Sequence, residues 1–210
     1  MTDTFKNKAE LAEYKYALCV VFGIHIFMFI VSFTAAILGK SSAVMADSID
    51  FIGDAASYAL SMYVLTKAKS IRATVSIAKA VTMIAFSLLV IVYTVIRIKE
   101  GVPPDYQIMV ISGSLGIASH LVCVYYLYKF RNGDSNQTSV WVCTINDLIS
   151  NSLTVIASYF VMITNSIIPD IIAAFVIVGI AIYGALTILR KAIKEIRESS
   201  AEKRISTAQG

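Results

Sequence analysis

Charge is scarce in this sequence. Only 15% of its 210 residues are charged and 57% are hydrophobic, which gives a mean hydropathy of +0.73. A soluble domain carries about 25% charged residues, because polar groups must cover its surface. The composition therefore excludes a two-domain soluble enzyme, a disordered chain and a nucleic-acid-binding protein.

Cysteine and histidine are also few. The three cysteines, Cys19, Cys123 and Cys143, lie in separate apolar stretches without the CxxC spacing of a zinc or redox site. We interpret them as small buried hydrophobic residues. The only histidines, His25 and His120, also lie in apolar stretches. We expect them to be interior hydrogen-bonded residues, either of which can relay protons.

Long apolar stretches account for the missing charge. A helix needs about 20 apolar residues to cross a bilayer. Six stretches reach this length: 16–38, 42–65, 74–98, 106–128, 140–163 and 168–189. None shows the period-two alternation of barrel strands. We predict an all-α membrane protein, a six-transmembrane-helix bundle, in which residues 16–190 form the membrane domain between an N-terminal segment, 1–15, and a short tail, 191–210.

The positive charges predict the orientation. If the N-terminus is cytoplasmic, 14 of the 18 basic residues fall on inner segments and only Lys40, Arg97 and Lys99 fall on outer ones. Cytoplasmic segments carry the excess of Lys and Arg, so we predict that both termini are cytoplasmic. Lys79 lies near the inner end of the third span, where we expect its side chain to reach out to the headgroups.

Four aspartates lie well inside the predicted spans, away from the first turn: Asp47, Asp50, Asp54 and Asp147. Charged groups at such depths are costly unless they are paired or hydrated. Asp50 and Asp54 are four residues apart and so share one helix face, about 6 Å from each other. Every basic residue except Lys79 lies at a span end, so we expect these carboxylates to bind protons or a metal ion.

The fifth span repeats this spacing with Asp147 and Asn151. Asp54 and Asn151 each lie about 12 residues from the outer ends of their spans, to within a turn. Because the two spans run in opposite directions, the pairs meet near the bilayer midplane if the helices touch. We predict a metal site with four ligands, Asp50, Asp54, Asp147 and Asn151, and two possible accessory residues, Asp47 and Asn146.

The segment from Ser42 to Asp54, SAVMADSIDFIGD, resembles the second transmembrane helix of the cation diffusion facilitator family. Asp50 and Asp54 stand at that helix's two ligand positions. In the fifth span, Asp147 matches the first ligand, whereas Asn151 stands where the family usually has Asp. The resemblance covers the whole membrane unit.

The resemblance implies a transporter and not an enzyme, with a divalent metal ion (Zn, Co, Cd, Mn or Fe) as substrate and no cofactor. It implies export from the cytoplasm by proton antiport with alternating access. It also implies a homodimer in a lipid bilayer, which we expect to be a bacterial inner membrane. Neither ligand pair contains histidine, and an all-oxygen site favours harder ions such as Mn²⁺ or Fe²⁺.

Two departures from the family leave other functions open. Only about 20 residues follow the sixth span, where most members have a cytoplasmic metal-binding domain. With Asn151 in place of Asp, this leaves open a non-transporting membrane metal sensor or partner. A proton-coupled exporter of organic cations is the other alternative, because Phe51, Tyr58 and Trp141 lie near the acids.

Overall fold

The chain folds into six long helices. The computed structural model describes residues 8–208, apart from the side chains of Lys69 and residues 200–208; predictions for residues 1–7 and 209–210 lie outside the described residues. The helices are α1 (Lys8–Gly39), α2 (Ser42–Val64), α3 (Lys69–Glu100), α4 (Tyr106–Leu127), α5 (Ser135–Thr164) and α6 (Ile168–Ala208), with a short 3₁₀ helix (Tyr128–Phe130) after α4. The described residues contain no strand, so the all-α prediction is confirmed.

The helix ends follow local capping rules. Ser41 caps α2 by accepting a hydrogen bond from the backbone N–H of Val44, and Asp105 caps α4 in the same way. Asp134 and Gln137 form a reciprocal capping box at the start of α5. Gly101 ends α3 in the left-handed region, with φ of 65°, where a side chain would be strained.

Five of the described helices, α1, α3, α4, α5 and α6, are long and apolar enough to cross a membrane. The remaining helix, α2, has 23 residues and carries Asp47, Asp50 and Asp54. The count of six spans and the cytoplasmic position of both ends stay predictions.

The bundle is apolar outside, and its interior contains both apolar and polar side chains. Large apolar side chains such as Phe27, Leu88 and Val92 are exposed on its outer surface. Serine, threonine and aspartate side chains of α2 and α5 are buried. These two helices lie at the centre, because α2 packs against α1, α3, α5 and α6, and α5 also packs against α3, α4 and α6. Polar side chains are therefore shielded from the surface that faces lipid.

Two acids of α6 hold the starts of both central helices. The carboxylate of Asp170 accepts hydrogen bonds from the Ser41 hydroxyl (2.6 Å) and from the backbone N–H groups of Ser42 (2.7 Å) and Ala43 (3.0 Å). Glu195 accepts hydrogen bonds from the backbone N–H (2.7 Å) and hydroxyl (2.5 Å) of Ser135. Each acid satisfies otherwise unpaired N–H groups and lies at the positive end of a helix dipole.

Two expectations from the sequence are wrong. The side chain of Lys79 does not reach out to the headgroups but is buried, and its ammonium group donates to Ser61 Oγ (2.5 Å), Asn136 Oδ1 (2.7 Å) and Ser139 Oγ (3.1 Å). Three oxygens from α2 and α5 thus replace water around the charge. Cys123 and Cys143 are buried as expected, whereas Cys19 is exposed on the outward face of α1.

Candidate functional site

The helices α2 and α5 meet in antiparallel register. Near the start of α2, Asp47 Oδ2 accepts a hydrogen bond from Thr154 Oγ1 (2.8 Å). Further along α2, the Tyr58 hydroxyl lies 3.2 Å from Thr144 Oγ1. Residue numbers rise along α2 as they fall along α5, so the aspartates between these two contacts lie at the same level. The expected match in depth is therefore present in the fold.

Three of the four predicted ligands line one pocket. Asp50, Asp54 and Asp147 face a cleft between α2, α3, α5 and α6, together with the predicted accessory residue Asn146. Asp54 and Asp147 are buried and their carboxyl groups lie within hydrogen-bonding reach of each other. Asp50 is half-buried. Carboxylates gathered in this way in a low-dielectric interior repel one another unless a cation or protons are present.

The rest of the pocket lining is mixed, with Met83, Phe86 and Ala181 as its apolar part. Ser57, Thr82 and Ser150 contribute hydroxyl groups, and Lys79 contributes the only cationic side chain among the described lining residues. Lys79 is therefore an internal cation near the acids. The sequence predicts instead that its side chain points outward to the headgroups. Its three hydrogen bonds go to neutral oxygens.

The predicted ligand Asn151 does not line this pocket. Its Nδ2 donates to the backbone carbonyl of Asp147 (2.8 Å) and lies 3.5 Å from His120 Nδ1. Its Oδ1 is buried without a hydrogen-bond partner among the described residues and is packed against Gly116 of α4. The side chain of Asn151 is thus on the other side of Asp147, towards α4.

The predicted accessory residues differ in their surroundings. Asp47 is buried beside Thr154, and its Oδ1 has no hydrogen-bond partner in the described part of the chain. It lies outside the pocket. Asn146 lines the pocket and its Nδ2 is 3.5 Å from the backbone carbonyl of Ile180 on α6.

Both histidines lie beside Asp147. His120 Nε2 is 3.1 Å from Asp147 Oδ2, and His25 Nε2 is 3.8 Å from the same oxygen. The Tyr58 hydroxyl donates to Asp54 Oδ2 (3.0 Å) and also lies 3.3 Å from His25 Nε2. We call His25, His120 and Asp147 the His–Asp centre. Its three ligand atoms lie within 4.8 Å of one another, and all three residues are buried.

The histidines are site residues that the predicted ligand set does not include. Both are interior and hydrogen-bonded, as expected, but they come from α1 and α4 and converge on an aspartate of α5. The signal that points to them is their rarity and position, because an ionisable residue in a membrane span is a functional candidate by default.

The fold and the site define a helical membrane protein that gathers carboxylates and imidazoles at the junction of its helices. The family model for the cation efflux transmembrane domain matches residues 18–196. The chain belongs to this family, and the resemblance seen in the sequence is confirmed. It is a multi-pass integral membrane protein and a metal cation transporter. Comparison with curated proteins gives no significant match.

Proposed function

We propose that the protein exports a divalent metal cation of the Zn, Co, Cd, Mn or Fe class from the cytoplasm in exchange for protons. The observation that carries the proposal is the convergence of Asp50, Asp54 and Asp147 on one pocket in a chain of the cation efflux family. Three carboxylates supply the negative charge and the oxygen ligands that a divalent cation needs.

Proton exchange follows from the chemistry of such a pocket. Carboxylates in contact, such as Asp54 and Asp147, share protons when no cation is present. A metal ion binds the deprotonated groups, so its arrival releases these protons. If the pocket opens alternately to the two sides of the membrane, one site exchanges protons for metal, and the proton gradient drives export.

The membrane arrangement belongs to the same proposal. It comprises six spans, both termini in the cytoplasm, a membrane domain of residues 16–190 and a short cytoplasmic tail. We place the protein in a bacterial inner membrane as a homodimer. The metal ion is its substrate, and no separate cofactor takes part.

The aromatic residues near the acids favour metal over organic cations. Phe51 stacks on the imidazole of His120, with ring centroids 4.9 Å apart and planes inclined by 21°. The ring of Tyr58 packs edge-on to His25, and its hydroxyl bonds Asp54. These rings already pack inside the protein, whereas recognition of an organic cation requires an open aromatic face.

Flux measurements in proteoliposomes test the proposed function. Purified protein is reconstituted, and uptake of a panel of divalent metals is measured with and without a pH gradient of defined direction. We expect saturable metal flux that a gradient accelerates in one direction and slows in the other. Flux of organic cations alone, or no flux of either kind, would overturn the proposal.

Charge-neutralising variants locate the site. Asp50→Asn and Asp54→Asn remove one negative charge each with little change in shape, and we expect metal flux to fall at least about tenfold. Asp105→Asn is the matched control, because Asp105 is exposed at the start of α4 and asparagine caps a helix equally well. Unchanged flux in both pocket variants would exclude this pocket as the transport site.

A further inference from the structure

The imidazoles of the His–Asp centre are held in one tautomer. His25 Nδ1 lies 2.8 Å from the backbone carbonyl of Val21, and His120 Nδ1 lies 2.9 Å from that of Gly116. A carbonyl oxygen only accepts, so each Nδ1 carries the hydrogen. In the neutral ring the lone pair is then on Nε2. This is the arrangement in which a histidine typically ligates a metal through Nε2, with Nδ1–H fixed by a carbonyl group.

Three lone-pair atoms then face one another. His25 Nε2 and His120 Nε2 lie 3.8 Å and 3.1 Å from Asp147 Oδ2. Acceptors at these distances inside a protein repel one another unless a proton or a metal cation lies between them. The Tyr58 hydroxyl group lies within hydrogen-bonding distance of Asp54, His25 and Thr144. Because this hydroxyl has only one hydrogen to donate, it cannot provide a donor for every acceptor of the His–Asp centre.

The spacing suits a tetrahedral metal ion. Ligand atoms about 2.0–2.1 Å from zinc lie about 3.3 Å from one another at the tetrahedral angle. The two measured Nε2 to Oδ2 separations, 3.1 Å and 3.8 Å, bracket this value. The three residues of the His–Asp centre thus supply three ligand positions of such an ion.

We propose that the transported cation is ligated by His25 Nε2, His120 Nε2 and Asp147, so that the substrate is a borderline transition-metal dication such as Zn²⁺. The proposal rests on the proposed transport function and specifies its substrate class. It replaces the all-oxygen set expected from the sequence by a mixed nitrogen and oxygen set. Imidazole nitrogen suits Zn²⁺, whereas an all-oxygen site suits Mn²⁺.

The chain offers an unusually direct test, because His25 and His120 are its only histidines. The protein is purified through a tag without histidine, loaded with Zn²⁺ and measured by X-ray absorption spectroscopy at the zinc edge. We expect the multiple-scattering signature of two imidazoles around the metal. Bound zinc surrounded by oxygen alone, or no bound zinc, would overturn the proposal. This measurement uses the unaltered protein, so it does not depend on the folding of any variant.

Conservative variants test the consequence for metal choice. For His25→Gln and for His120→Gln, we expect Zn²⁺ affinity to fall at least about tenfold. Mutating only a hydrogen-bond partner of a metal ligand already lowers metal affinity about 10- to 100-fold. Mn²⁺ binding should change much less, so the ratio of the two affinities shifts. An unchanged ratio in both variants contradicts ligation by imidazole. Elution as a single symmetric peak from a sizing column shows that a variant is folded.

The two proposals fail in different ways. If metal is transported through an all-oxygen shell with the Zn²⁺ to Mn²⁺ ratio unaffected by either histidine variant, only the ligand set and the substrate class are wrong. If imidazole signatures are present but the reconstituted protein shows no metal flux, the His–Asp centre binds metal and the proposed transport function is wrong.

Discussion

The clamp on the start of α2 gives a prediction with a calculable magnitude. Asp170→Asn keeps the shape of the side chain but replaces one acceptor oxygen by an amide donor. The carboxylate accepts three buried hydrogen bonds, two of them from backbone N–H groups. The variant therefore loses at least one charge-assisted bond, about 1.5–3 kcal/mol, and a favourable interaction with the helix dipole, about 0.3–1 kcal/mol. We expect the free energy of unfolding to fall by about 2–4 kcal/mol.

Unfolding in detergent micelles measures this change. Trp141 is the only tryptophan, so its fluorescence reports the transition without added probes. Asp105→Asn is the control, since the exposed cap of α4 accepts asparagine equally well and should change the unfolding free energy by less than about 0.5 kcal/mol. If Asp170→Asn is as stable as this control, the hydrogen bonds from α6 do not hold α2 and the reasoning is wrong.

Two further predictions concern the surroundings of the site. Gly116→Ala places a methyl group where the Asn151 side chain lies, so we expect slower metal flux in proteoliposomes. The control Gly23→Ala adds a methyl group that meets open space, and it should leave the flux unchanged. Equal rates for the two variants would show that Asn151 moves aside without cost. Lys79→Met removes the ammonium group that lines the acidic pocket, so we expect tighter divalent metal binding by calorimetry, and weaker binding would show that the amine supports the site.

The sequence is sufficient to predict the helices, because each long apolar run can be satisfied only by a helix in a bilayer. The fourth predicted span, 106–128, agrees with α4 (Tyr106–Leu127) to one residue, and the capped start of α2 follows from the turn before it. The helix α6 begins at the first residue of the predicted span, Ile168, and continues beyond that span to Ala208. Hydropathy marks where a span leaves the apolar region, and a helix with polar residues can continue beyond it.

The match in depth between the two central helices is also predictable, since it depends only on helix rise and direction. Asp54 and Asn151 were expected at one level to within a turn, and Asp54 lies beside Asp147, one turn from Asn151. The buried position of the Lys79 side chain cannot be predicted in this way. A lysine near a span end reaches outward unless neighbouring helices offer oxygens, and Ser61, Asn136 and Ser139 come from helices whose lateral positions the sequence does not specify.

Helix rotation explains why the four-residue spacing is an incomplete guide to the ligands. Four residues correspond to slightly more than one turn, so Asn151 is rotated by about 40° relative to Asp147. That rotation is enough to separate them: Asp147 lines the pocket, and Asn151 packs against Gly116 and His120. Spacing along one helix shows which side chains are neighbours, but the packing of α4 decides which of them faces the acids.

The substitution at Asn151 and the position of the histidines belong together. An aspartate at this position would place a second carboxylate of α5 against α4, where Asn151 Oδ1 already lacks a hydrogen-bond partner among the described residues. An unpaired charge there would be costly, whereas the neutral amide donates to the carbonyl of Asp147. With His25 and His120 on Asp147, two neutral ligands take the place of the missing negative one. On the proposed ligand set, two neutral imidazoles and the carboxylate of Asp147 hold the cation, so the site needs no second negative charge from α5.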